Sequence, residues 1–113
     1  MGVDFDFCNA HWGYAGFNRF REKLAKEIGI DLRKMDGYWE GGTSWNKVKD
    51  DIKYLLDHSD CDGHISPKRC ARVAIRILEL IKDWPWDYDK ENAISLAGGM
   101  ALAFLLNKRL TFH

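Results

Sequence analysis

A chain of 113 residues can build one core but is too short for two ordinary domains. Its 17 basic and 17 acidic side chains cancel, which excludes a global field drawing it onto polymeric nucleic acid or an anionic membrane. The longest apolar run, 100–106, falls far short of a bilayer span, and no basic segment leads into an apolar one at the start. The expectation is a cytoplasmic protein with neither a membrane nor a polymeric nucleic acid as partner.

In chain order, Val3-Asp4-Phe5-Asp6-Phe7 alternates apolar and acidic residues as a half-buried strand does. Phe17, Phe20, Leu24 and Ile28 recur at helical spacing, with Gly29 placed to end that helix. Thr43-Ser44 offers an N-cap for a second helix carrying Trp45, Val48, Ile52, Leu55 and Leu56. Ser66-Pro67 is a cap followed by proline at the first helical position. The helix it opens carries Cys70, Val73, Ala74, Ile77, Leu78 and Ile81, and Pro85 closes it. A last helix is expected from Asp89 to Leu106, with Asn107 as its C-cap and Gly98-Gly99 marking a bend or a close helix approach. Leu110-Thr111-Phe112 alternates again, so the two termini can pair as a ribbon on a helical layer. The pattern predicts one α+β domain over 1–113, mainly α, with about four helices and a short two-stranded ribbon from the termini.

The segment His58-Ser59-Asp60-Cys61-Asp62-Gly63-His64-Ile65-Ser66 has the spacing of a calcium-binding helix–loop–helix at its middle positions. His58 and Arg69 stand where the first and last carboxylates belong, so a hard cation loses both anchors and the turn reads as a degenerate one. Cys8-x-x-His11 and Cys61-x-x-His64 could together supply a tetrahedral zinc site, although neither spacing is that of a zinc finger. Cys70 lies on an apolar helical face and reads as a small hydrophobe. No hydrolase elbow or zinc-protease helix occurs, and Cys61 between two aspartates is a poor thiolate, so enzymatic activity is not expected.

Anion chemistry has more support. Trp12, Tyr14, Asn18, Arg19 and Arg21 gather at a helix entrance, where unpaired N–H groups and a partial positive charge suit phosphate. Phe17 and Phe20 define the inner side of that helix, so at least one of the two arginines faces outward. Arg69, Arg72 and Arg76 share one face of the 66–84 segment, as a solvated stripe or as guanidinium forks for phosphate. Trp39, in the glycine-rich 37–42 loop, is either an aromatic lid for a base or a plug in the core.

The Gly16-Phe17-Asn18-Arg19-Phe20-Arg21, HSDCDG and Ser66-Pro67…Cys70 blocks together resemble a group of small bacterial and bacteriophage proteins, a likeness that carries no activity with it. In size and chemical character the chain is also similar to phage sponges. That likeness implies sequestration of a nucleotide immune messenger, homo-oligomer assembly and, for a phage-encoded protein, the host cytoplasm. The expected function is therefore non-catalytic, cofactor-free capture of a cyclic or ADP-ribose-like nucleotide. Arg19, Arg21, Arg72 and Arg76 would meet phosphate, Tyr14 and Trp39 would stack, and Asp60 or Asp62 would accept from ribose or base. A protein-interaction module built on the degenerate calcium turn, or a small zinc domain, is the alternative.

Overall fold

In the computed structural model, residues 2–57 and 63–113 are described. The elements run β1 (Val3–Asp4), β2 (His11–Trp12), α1 (Tyr14–Glu27), α2 (Lys53–Leu56), β3 (Gly63–Ile65), α3 (Pro67–Ile81), α4 (Tyr88–Leu105) and β4 (Leu110–Phe112). The fold is α+β and mainly α, with four helices and two small antiparallel sheets.

The helix signals act where the sequence sets them. Gly29 has φ 79°, and the Ile28 and Gly29 N–H groups close on the last turn of α1. The Ser66 hydroxyl accepts the Arg69 N–H and Pro67 opens α3. Asn107 takes φ 53°, and the Lys108 N–H bonds back to the Ala103 carbonyl, ending α4. At the other end of α4 the cap is Asp87, two residues before the expected start, and its carboxylate accepts the Lys90 N–H.

The second expected helix is a correction. Ser44 does cap a turn, but that turn is 3-10 and covers Trp45–Lys47 only. Asp50 then accepts the Ile52 N–H with its side chain, a local bond that competes with helix continuation, and α2 is a single turn further on. The apolar residues expected on that helix are buried all the same: Trp45, Val48, Ile52, Leu55 and Leu56 belong to the core.

The strands also pair differently in detail. Val3–Asp4 pairs with His11–Trp12, and Leu110–Phe112 pairs with Gly63–Ile65. The termini nevertheless meet, because a Phe5–Phe112 bridge and reciprocal Asp4–His113 backbone bonds of 2.8 and 2.9 Å join the two sheets. Gly63 is needed for this approach: a Cβ there would stand 2.7 Å from the Phe112 ring.

Both sheets and α1, α3 and α4 bury one contiguous core. Phe5, Trp12, Phe17, Phe20 and Phe112 form its aromatic centre, with Trp12 stacked on Phe20 at 4.5 Å between centroids. α3 and α4 pack as an antiparallel hairpin. No described helix is long and apolar enough to cross a membrane.

Candidate functional site

α1 begins without a side-chain cap. Its N-cap is Gly13, which carries no acceptor, so the first-turn N–H groups are not met from that side chain. The first helical residues open into a cavity of about 630 Å³ lined by Trp12, Gly13, Tyr14, Gly16 and Arg19 on one wall and by Asp87, Tyr88 and Asp89 on the other. This volume lies in the range of small-molecule sites, roughly 300–1,000 Å³. Tyr14 and Tyr88 are exposed, so ring surface is available to a ligand.

The far wall is fixed in place by long-range bonds. Trp12 Nε1 donates to one Asp89 oxygen at 3.0 Å and Lys23 Nζ donates to the other at 2.8 Å. The Tyr88 hydroxyl donates to the His11 carbonyl at 2.6 Å, and Asn92 Oδ1 accepts the His11 N–H. These bonds tie the first turns of α4 to β2 and α1, which is what a preformed cavity requires. Asp89 is neutralised by Lys23, and Asp87 is directed at its own helix as a cap.

A second depression of about 520 Å³ runs along α1 and is lined by Arg19, Lys23, Lys26 and Arg33 with Glu22 and Asp31, over Ile30 and Leu32. With Lys23 paired to Asp89, Arg19, Lys26 and Arg33 stand against Glu22 and Asp31, an excess of one positive charge along this face of α1. Arg19 lines both depressions and is their common wall.

The structure distributes the expected ligand residues unevenly. Tyr14 and Arg19 stand together at the cavity. Trp12 contributes only an edge, because it is 1% exposed and stacked within the core, so it is no platform for a base. Asn18 donates to Glu22 at 3.0 Å. Arg21 is 3% exposed, with its guanidinium 4.6 Å from the Phe17 ring centroid and 5.4 Å from that of Tyr38, so it is a core cation and not a surface one. Arg76 is held by Asp50, Nε meeting both carboxylate oxygens at 3.0 Å and Nη2 one of them at 2.9 Å. A fork occupied by a carboxylate is not open to phosphate. Arg72 is exposed on α3.

The glycine loop packs Tyr38, and not Trp39, against the core. The Tyr38 hydroxyl donates to the Leu56 carbonyl and its ring packs edge-on to Trp45, so Tyr38 is the plug. Trp39 is 89% exposed and lines neither depression. Asp60 and Asp62, with His58 and Cys61 of the degenerate calcium turn, lie outside the described residues.

Of the expected zinc ligands, Cys8 packs against α4, where a Cβ on Gly99 would come within 2.9 Å of its sulfur. Burial pushes the Cys8 thiol above its ordinary value, against lowering by bonds with the Ala10 backbone and the Ser95 side chain. His11 Nδ1 is engaged by Asp4 at 2.9 Å, and His64 is exposed on β3. Among the described residues no group of three His, Cys, Asp or Glu side chains is arranged to hold a metal ion. Burial likewise raises the Cys70 thiol, which sits 3.5 Å from the Ile65 carbonyl as a packed hydrophobe.

Sequence reasoning missed Asp87, Tyr88 and Asp89 as part of this site. The signal for Asp87 was present, since an aspartate followed by Asp89 and Glu91 marks a helix start. Nothing local places that helix start opposite residue 13. No family model, no curated protein and no solved structure matches the chain.

Proposed function

We propose that the chain is a non-catalytic binding protein for a phosphate-bearing, nucleotide-type small molecule. The ligand spans the two depressions that meet at Arg19. The uncapped N-terminus of α1 beside an exposed arginine carries this reading, because N–H groups, helix dipole and guanidinium all favour an anion at one place. Phosphate lies against Arg19 and the α1 entrance, with Lys26 and Arg33 extending the favourable field. A base rests against Tyr14 or Tyr88, and Asp87 accepts from ribose hydroxyls at the cavity wall. Capture without turnover is supported by the chemistry of the wall: Asp89 is committed to Lys23 and Trp12. Tight sequestration of a messenger, as in an anti-defence sponge, is a use to which such a site lends itself.

The reading is tested by thermal-shift titration with ADP-ribose and with cyclic dinucleotides. A native-state ligand at a hundred times its dissociation constant adds about 2.7 kcal/mol of stability, a shift of many degrees for a domain of this size. Arg19→Ala is expected to weaken binding at least tenfold, about 1.4 kcal/mol, with an unchanged far-UV spectrum. Arg76→Ala lowers the melting temperature but leaves affinity intact. Equal affinity in Arg19→Ala and the parent protein overturns the assignment of the site.

A further inference from the structure

We infer that the outward face of α4 is the interface of a two-fold homodimer, in which α4 packs antiparallel against α4 of a second copy. From Leu96 to Leu105 α4 carries no polar side chain: Leu96, Ala97, Met100 and Ala103 fill the core, as Ala93 does before them, yet Ile94, Leu102 and Leu105 are exposed, Leu105 by 76%. A helix that is hydrophobic all round belongs in an interior, so half of this one is missing its cover.

The outward face has a register. Ile94, Gly98, Ala101 and Leu105 follow one another at steps of four, three and four, the seam of helices that pack along their length. The glycines separate fold from interface. Gly99 is required by the fold, because a Cβ would strike Cys8. At Gly98 a Cβ would meet nothing within 4 Å, so the fold gains nothing from a residue that costs its helix about 1 kcal/mol relative to alanine. A gap at the centre of an apolar seam is what lets a second helix come close.

Size and charge select a second copy as the occupant. On the neighbouring helix α3, Ile75 and Leu78 are exposed as well, Leu78 on the flank away from the Arg76–Asp50 pair. With Ile94, Leu102 and Leu105–Leu106, they leave on the order of 600 Å² of apolar surface in water, at about 100 Å² for each of the six large side chains. That is at or above the largest patch of a typical monomer, roughly 300–600 Å², and near the roughly 800 Å² per partner of a stable complex. A two-fold axis between Gly98 and Ala101 sets Ile94 against Leu105 and Gly98 against Ala101 of the other copy. The same operation brings Glu91, at the acidic start of α4, toward the end of the other copy's α4, where Lys108 follows past the Asn107 turn; both are exposed and neither forms an ion pair among the described residues. Zero net charge leaves no repulsion between copies.

The test is sedimentation equilibrium of the full chain, up to about 100 μM, where a dimer of micromolar affinity is saturated. The parent protein is expected to be dimeric. Gly98→Gln and Leu105→Glu should each raise the dissociation constant at least tenfold, with far-UV spectra of a folded helix protein, since both positions face solvent in the single copy. Glu91→Lys should weaken the dimer, and Glu91→Lys with Lys108→Glu should restore it. A monomer at about 100 μM, or a dimer indifferent to Gly98→Gln and Leu105→Glu, overturns the inference, and a charge swap without rescue overturns the antiparallel register.

Discussion

The Arg76–Asp50 pair shows how neighbours settle what a side chain can do. Partial burial of the Asp50 carboxyl opposes its ionisation, but hydrogen bonds from the Arg76 guanidinium and the Ile52 N–H outweigh it and hold the group below the usual carboxylate range. The pair raises Arg76 in turn, chiefly through the bonds to Asp50. Because the folded value is depressed, the stabilisation is complete above the unfolded value of about 3.9 and is lost as pH falls through the folded one. Asp50→Asn is therefore expected to cost about 1–3 kcal/mol at neutral pH and to flatten the acid limb of the stability curve below about pH 4. Urea titrations across that range check it; an unchanged acid limb would refute the assignment. Arg19, Arg21 and Arg76 were indistinguishable as basic residues in the sequence. Arg76 found a carboxylate 26 positions away and Arg21 two aromatic rings, while Arg19 was left at the cavity. The Asp50 and Tyr38 contacts are tertiary, which spacing along one helix does not reveal, whereas Arg21 stands four residues after Phe17 on the buried face of α1, a placement the helical period does carry.

Among elements, the ones with strong local signals were legible. α3 has its cap, its proline and its apolar face, and forms where these predict. The 45–56 stretch has an equally regular apolar spacing but holds Asp50, whose carboxylate offers the backbone a competing bond, and it breaks into two turns. Apolar periodicity identified which residues are buried there without fixing the backbone that buries them. α4 bears on both the fold and the site, since its N-cap is also a wall of the cavity. Asp87→Ala is expected to cost about 1 kcal/mol, a fall of roughly 4–8 °C in melting temperature, while Asp87→Asn keeps the cap and stays close to the parent. Calorimetry on the two variants separates these roles, and equal losses would show that charge at the site, not capping, sets the effect.

For the whole molecule, the chain ends are joined into the structure through Asp4, Phe5, Phe112 and His113, and the aromatic centre they cover positions β2 and the start of α1. The alternation at both termini pointed to strands that meet, but the intervening partners, His11–Trp12 and Gly63–Ile65, have too few residues to show a period. The site is legible to the same degree. Its α1 half, Tyr14 and Arg19, follows from aromatics, glycines and arginines at a helix entrance. Its α4 half depends on bonds from Trp12 and Lys23 to Asp89, more than sixty positions along the chain. The central claim is that an anion is held at the α1 entrance. It is tested most directly by following backbone amide resonances during titration with ADP-ribose. The account predicts progressive shifts of the Tyr14, Ala15 and Gly16 amides and of the Arg19 side chain, all abolished in Arg19→Ala. Shifts confined to other parts of the molecule, or none at concentrations up to about 1 mM, would contradict it.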